Sequence, residues 1–470
     1  MSLLSSYNPK PHVVLFPFMS KGHTLPLLQL ARLLLYRGCA VTLFTTLENR
    51  PYIVQSLSGD DITIIDLPFP GNIPGIPPEI ESTDKLPSMS LFFSFAKATK
   101  LMQPYFEGAL QKIPHVTCIV SDLFLHWTVE SAIKFGIQQL GFDGMSNYVN
   151  SINREAVING LLSLHESADE PFTLSSFPWI KLTRNDFDYP FNQRYPSGPL
   201  FDFIMEMGTA LSQSYGLLVN SFYELEPLYV EYWNCESKPK AFCVGPLCMA
   251  RPPKMEPVLH QECTWIKWLD QKLAKKKPVL YVAFGSQAEI SSTQLTEIAR
   301  GLEESKVSFL WVVRKSGREL GDEFEDRIKE RGIIVKEWVD QKRILEHEIV
   351  QGFLSHCGWN SVLESISAEV PILAWPMMAE QPLNAKMVVE EIKIGLRVET
   401  VNGSGNKFVQ AESLKNKVKE LMEGEKGEEV RKKVKQVAEA ARNSMMEGGS
   451  SWHTLNQLIK EIYLQNQPEK

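Results

Sequence analysis

Residues 12–45 read HVVLFPFMSKGHTLPLLQLARLLLYRGCAVTLFT, and the order of events within them decides the fold. HVVLFPF (12–18) is an unbroken apolar run of strand length. A glycine turn carrying His23 follows. TLPLLQLARLLLYRG (24–38) then repeats apolar residues at helical spacing and stops at a glycine. AVTLFT (40–45) is a second apolar run. Two strands that are apolar on both faces, joined by a crossover helix, make a parallel pair covered by helices on each side.

The plan continues outward from this unit. DITIIDL (61–67) reads as a third strand, and PFPGNIPGIPP (68–78) as a loop. SLFFSFAKATKLMQPYFEGAL (90–110) is expected to form one long helix. HVTCIVSD (115–122) is expected as a strand and WTVESAIKFG (127–136) as a helix. After residue 263 the alternation starts again: VLYVAFGS (279–286), the helical STQLTEIARGLEES (292–305), then strands in FLWVVR, GIIVKEW, IVQGFLSH and PILAWP. The expected class is therefore α/β, with two doubly wound parallel-sheet domains facing each other across a cleft. GPLCMARPPKMEP (245–257), with four prolines and little periodicity, marks the linker. The boundaries that follow are 1–244, a linker at 245–262, 263–449, and a tail at 450–470. The tail's SSWHTLNQLIKEIYL is an amphipathic helix expected to pack back on the first domain.

Composition narrows the function classes. A chain of 470 residues, 44% hydrophobic and 22% charged, is long enough for two cores. A net charge of −7 gives no basic face for nucleic acid. Seven scattered cysteines without a CxxC pair read as reduced thiols, not as a disulfide framework or a zinc site. No apolar run is long enough to span a bilayer and no secretory leader pattern occurs at the start, so a cytoplasmic location is expected. The chain is also expected to be a monomer.

GFLSHCGWNSVLES (352–365) places polar groups where a strand hands over to a helix. A helix N-terminus offers unpaired N–H groups and the positive end of a dipole, so it suits an anion. Gly358 lets backbone approach closely. Asn360 and Ser361 can donate to phosphate oxygens. Glu364, one turn on, can accept two ribose hydroxyls. Taken alone, Asn and Ser at such a place are more often caps, and Trp359 more often core. Three further strand ends in the same half add weight. Trp338 follows GIIVKE and can stack on a base, Gly285 and Ser286 follow VLYVAF, and Glu380 and Gln381 follow PILAWP.

In the first half, His23 precedes a helix and Asp122 ends a strand. A histidine oriented by a carboxylate is a general base. Asp186-Phe187-Asp188 has the DxD spacing of metal-dependent glycosyl transfer, but it does not end an apolar strand and is set aside as a metal site. Gly403-Ser404-Gly405 lacks the strand and third glycine of a dinucleotide fingerprint.

Residues 338–381, through WVDQ, HCGWNS, LES and AEQ, resemble the 44-residue signature box of the plant family 1 UDP-glycosyltransferases. GHxxP at His23 and VSD at Asp122 resemble that family's catalytic histidine and its partner. The resemblance implies the GT-B fold of two Rossmann-like domains. It implies that Trp338 stacks on uracil with the Val339 backbone at its edge, and that Gln341 and Glu364 hold ribose. Ser286, His356, Asn360 and Ser361 would hold the diphosphate, and Trp359, Glu380 and Gln381 the hexose. Many members carry Ala-Pro at Val339-Asp340 and Asp at Glu380. The implied reaction is inverting transfer of glucose from UDP-glucose to a hydroxyl of a small hydrophobic acceptor, giving a β-O-glucoside without metal or cofactor. The acceptor is expected to be a flavonoid or other phenolic, with a terpenoid or hormone as the alternative. Isomerisation of a UDP-sugar in the same cleft is the competing reaction. An apolar acceptor pocket around His23 is expected from Met19, Phe124, Trp127, Met145, Tyr148, Phe187, Tyr189 and Phe191.

Overall fold

The computed structural model describes residues 10–250, 263–313, 320–401 and 408–465. The 251–262 part of the expected linker and the Gly403–Gly405 loop lie outside the described residues. The first sheet has seven parallel strands: β1 (His12–Phe16), β2 (Ala40–Thr46), β3 (Thr63–Leu67), β4 (Cys118–Asp122), β5 (Gln138–Asp143), β6 (Gly216–Val219) and β7 (Ala241–Cys243). They lie in the spatial order 3-2-1-4-5-6-7. The second has six: β8 (Val279–Ala283), β9 (Ser308–Val312), β10 (Gly332–Val335), β11 (Val350–Ser355), β12 (Ile372–Ala374) and β13 (Gly395–Arg397). Their order is 10-9-8-11-12-13, which repeats the 3-2-1-4-5-6 plan of the first sheet.

All pairings within both sheets are parallel, so the carboxyl ends of the strands gather on one edge of each. These two edges meet. Asn360 Nδ2 donates to the Gly22 carbonyl at 2.6 Å, and the Ala379 N–H donates to Asp188 at 2.6 Å. The chain's last helices close the circuit between the domains. In α3 (Ser450–Gln465), Leu455, Leu458 and Ile462 enter the same apolar cluster as Val13, Leu30 and Leu34 of the first domain. Leu247, at the start of the expected linker, belongs to that cluster too, so the first domain runs past residue 244.

Two expectations are corrected by backbone chemistry. Residues 90–110 do not form one helix. They break into Phe92–Ala98, a 3₁₀ turn at Thr99–Met102, and Gln103–Leu110. Pro104 has no N–H for the preceding turn and its ring crowds that turn's carbonyl, and it stands in the first turn of a new helix, where neither matters. The first crossover helix, α1 (Lys21–Tyr36), starts three residues earlier than its apolar pattern, with Ser20 extended at its N-cap. His23 therefore sits in the first helical turn, not in a loop before it. Trp338 also lies beyond its strand, which ends at Val335, and it is 54% exposed.

Candidate active site

Asp122 is the last residue of β4 and is 2% exposed. Oδ1 accepts from the Phe124 N–H at 3.0 Å, and Oδ2 lies 2.7 Å from His23 Nδ1. An ionised carboxylate only accepts, so Nδ1 carries the imidazole hydrogen and Nε2 keeps a lone pair for a proton. Phe18 and Phe124, themselves in contact at 5.1 Å, pack together against the ring, with centroids 5.5 and 5.3 Å away. Burial works against the imidazolium, but the charge and hydrogen bond of Asp122, with Glu380 and Asp143 farther off, prevail. The His23 pKa is raised above its usual value.

The sequence carries no mark of Asp143 as a member of this group. It ends β5, beside β4, and burial pushes its carboxyl up to about 6 against hydrogen bonds from Asn150 and the Met145 N–H.

The corner at 352–365 is built as a turn under strain. Cys357 has φ +63°, a left-handed conformation unusual for a residue with a side chain, and it connects β11 to α2 (Trp359–Ser367). Gly358 is required for space. A Cβ there would come within 2.6 Å of His356 Nε2, and one at Gly285 within 2.7 Å, so the imidazole is clasped between two glycines. Burial lowers the His356 pKa to about 4, which keeps the ring neutral. Its Nδ1 is buried and has no hydrogen-bond partner among the described residues.

Glu364 and Gln341 are brought together, Nε2 to Oε2 at 2.7 Å, and the same amide reaches Ser361 Oγ at 2.9 Å. Burial pushes the Glu364 carboxyl up to about 7. The side chain of Val339 is buried, and Asp340 caps the short helix that carries Gln341.

The domains touch at this corner because of a proline. Helical bonding would give the Gly22 carbonyl a partner in the N–H of residue 26. That residue is Pro26, so the carbonyl turns to Asn360 instead. The contact sets the corner one residue from His23. Glu380 also faces His23 closely enough to interact with its charge. Gln381 Oε1 accepts from the Met377 and Met378 N–H groups at 2.9 and 3.1 Å, so its NH₂ is the end left to donate.

Several expected side chains do other work. Trp359 is 2% exposed and its Nε1 donates to the Asn220 carbonyl at 2.8 Å, so its indole joins the domains and offers no open wall to a sugar. Among the acceptor candidates, Met19, Trp127, Tyr148 and Phe187 are buried in the cores. Trp127 donates to Thr99, and Tyr148 packs edge-on against Tyr229. An apolar residue beside a strand end meets either the core or the cleft, and periodicity does not distinguish them. Phe124 touches His23, Met145 and Phe191 are partly buried, and Tyr189 is half exposed. Asp186 closes a capping box with Thr183, and Asp188 accepts the Ala379 N–H.

With this geometry in view, comparison with known proteins is specific. A family model described as UDP-glucoronosyl and UDP-glucosyl transferase matches residues 268–437. The chain is similar to UDP-glycosyltransferase 90A1 of Arabidopsis thaliana, 54% identical over 462 residues covering 96% of each chain. It is also similar to the UDP-glucose flavonoid 3-O-glucosyltransferase 7 of Fragaria ananassa, 34% identical over 96% of each chain. The crystal structure of Glycyrrhiza uralensis UGT73P12, complexed with glycyrrhetinic acid 3-O-monoglucuronide, superposes with a TM-score of 0.86 at 30% identity over 97% of each chain.

Proposed function

The chain belongs to the plant UDP-glycosyltransferases of GT-B fold, and we propose that it transfers glucose from UDP-glucose to a hydroxyl of a flavonoid or other phenolic with inversion at the anomeric carbon. The observation that carries this reading is the His23–Asp122 pair, 2.7 Å apart, one residue from the Gly22 carbonyl that Asn360 of the helix corner reaches. His23 Nε2 takes the acceptor's proton as its oxygen attacks the anomeric carbon. The bond to the UDP oxygen breaks on the opposite face. The charge left on UDP meets the N-terminus of α2, Ser286, Ser361, Asn360 and the neutral His356. One displacement without a protein nucleophile turns an α-linked donor into a β-glucoside. The strawberry relative's name supports the glucose donor and the phenolic acceptor. A cytoplasmic monomer fits this reading, and no helix among the described residues is long and apolar enough to cross a membrane.

The test is incubation with UDP-glucose and a flavonol, following UDP release and the anomeric proton coupling of the product. A β-glucoside supports the proposal. An α-glucoside overturns inversion, and conversion of UDP-glucose without any acceptor supports isomerisation. No metal is proposed for the step, because Asp186 and Asp188 already serve as a cap and as a partner of a backbone N–H. Activity is therefore expected to survive EDTA, and a loss restored by magnesium would return the Asp186/Asp188 pair to the mechanism.

We assign Gln341 and Glu364 to the ribose. Glu364→Ala removes a carboxylate that would accept both hydroxyls, interactions worth roughly 1.5–3 kcal/mol, or about 10- to 150-fold in affinity. UDP titration calorimetry is expected to record that loss, and unchanged affinity would displace the assignment.

A further inference from the structure

The hydroxyl assigned to the diphosphate is engaged by an acidic side chain from the other domain. Ser286 Oγ donates to Asp84 Oδ1 at 2.7 Å. The other oxygen, Oδ2, accepts from the Lys21 N–H at 3.0 Å and from Ser82 Oγ at 3.2 Å. Asp84 thus ties the first turn of α1, two residues before His23, to the loop that follows β8. Neighbouring contacts join the same two segments. Gln287 Nε2 donates to Thr83 Oγ1 at 2.9 Å, and Asn360 Nδ2 reaches the Gly22 carbonyl. The Lys21 ammonium lies 5.8 Å from the centre of the Trp338 ring, the surface assigned to uracil. The acceptor domain therefore contacts the donor domain at the base platform, the phosphate hydroxyl and the helix corner.

Elementary chemistry gives the Ser286 contact a consequence. A serine hydroxyl has one hydrogen to donate. It serves the Asp84 carboxylate or a phosphate oxygen, but not both. Two anions brought to one hydroxyl also repel each other.

We propose that Asp84 is an affinity-setting residue of the donor site, its carboxylate holding the phosphate-binding hydroxyl of Ser286 until the diphosphate displaces it. The inference rests on the assignment of Ser286 to the diphosphate. Binding of the donor is then an exchange, not a simple addition, and apparent affinity is lowered by the share of molecules in which Asp84 holds Ser286. On displacement Asp84 keeps its bonds to Lys21 and Ser82. The exchange therefore leaves the first turn of the helix bearing His23 satisfied, and the Gln287–Thr83 and Asn360–Gly22 contacts still join its domain to the donor domain.

The test compares UDP and uridine binding by calorimetry for the wild type, Asp84→Asn and Asp84→Ala. Asn retains an oxygen for the Lys21 N–H, and Ala provides a second neutral variant. Both are expected to bind UDP roughly tenfold more tightly than the wild type, since a charge-assisted hydrogen bond no longer opposes entry. Uridine, which has no phosphate, is expected to bind all three proteins equally. In the Ser286→Ala background the gain from Asp84→Asn should shrink to the part due to charge repulsion, because the contested hydrogen is gone. UDP affinity that is unchanged or weaker in the Asp84 variants overturns the proposal. So does an equal gain for uridine, or a gain that is undiminished in the Ser286→Ala background. Failure of the wild type to bind UDP at all would instead defeat the donor-site assignment.

Discussion

His23→Ala is expected to stop transfer while leaving UDP binding within a few-fold of the wild type. The imidazole belongs to the first domain, and none of the side chains assigned to UDP uses it as a partner. Its Nδ1 is committed to Asp122 at 2.7 Å, which leaves Nε2 as its proton acceptor. Removing a positioned base costs about 10²- to 10⁴-fold in rate. A phenolic acceptor retains more turnover than an alcohol, because its oxygen ionises more readily without help. Initial rates with both acceptor types, alongside UDP calorimetry, check the expectation. Turnover preserved with an alcohol would remove His23 from the role of base.

Asp122→Asn is expected to be nearly as damaging, through the hydrogen-bond pattern around it. The Phe124 N–H donates to Oδ1 at 3.0 Å, so an asparagine here must keep its oxygen on that side. Its NH₂ then faces His23 and donates to Nδ1. The imidazole hydrogen moves to Nε2, the atom that must receive the acceptor's proton. In hydrolase triads the same exchange costs about 10⁴-fold.

The pH profile supplies a second readout. The base works when neutral, so the rate rises with pH as His23 loses its proton. Asp122 is the main group raising the His23 pKa against burial, so the rising limb in the wild type lies above the usual histidine value. In Asp122→Asn that support is gone, burial dominates, and the residual activity should rise at lower pH. A limb in the same place would mean that Asp122 does not set the charge of His23. An Asp122→Glu variant that recovers activity would show that a carboxylate is needed there, and not merely a side chain that fills the space.

Much of the scaffold was legible because parallel strands are apolar on both faces and their crossover helices are not. That contrast survives in a single sequence, and it located β1, β2, β3, β4, β8, β9 and β11 to within a few residues. It misled where backbone chemistry overrode side-chain pattern. Pro104 divided a helix whose apolar spacing continued through it, and α1 began at Lys21 although its apolar face begins later. The polar corner at 352–365 was legible as a cluster for a related reason. Its Gly, Asn, Ser and Glu lie within one strand–turn–helix, so spacing alone puts them on one face.

The acceptor side was not legible in this way, because each of its residues comes from a different strand end or loop. Asp143 is one strand over from Asp122 but 21 positions later in the chain. Asp84 meets Ser286 across 202 positions, between domains, and no local rule marks it. Phe124 and Trp127 lie three residues apart with similar composition around them. Yet one ring touches His23 and the other is sealed against Thr99.

The sequence by itself determined two doubly wound sheets and the gathering of Gly358, Asn360, Ser361 and Glu364 at one strand–turn–helix corner. These depend on periodicity and on groups placed by one turn of chain. Only the tertiary structure decided which aromatic rings face the cleft, and that Trp359 joins the domains. It also decided that the carbonyl left without a helical partner by Pro26 receives Asn360, and that Asp84 engages Ser286. Those contacts join segments far apart in the chain, and they form only where packing and the hydrogen-bond demands of two domains meet at one edge.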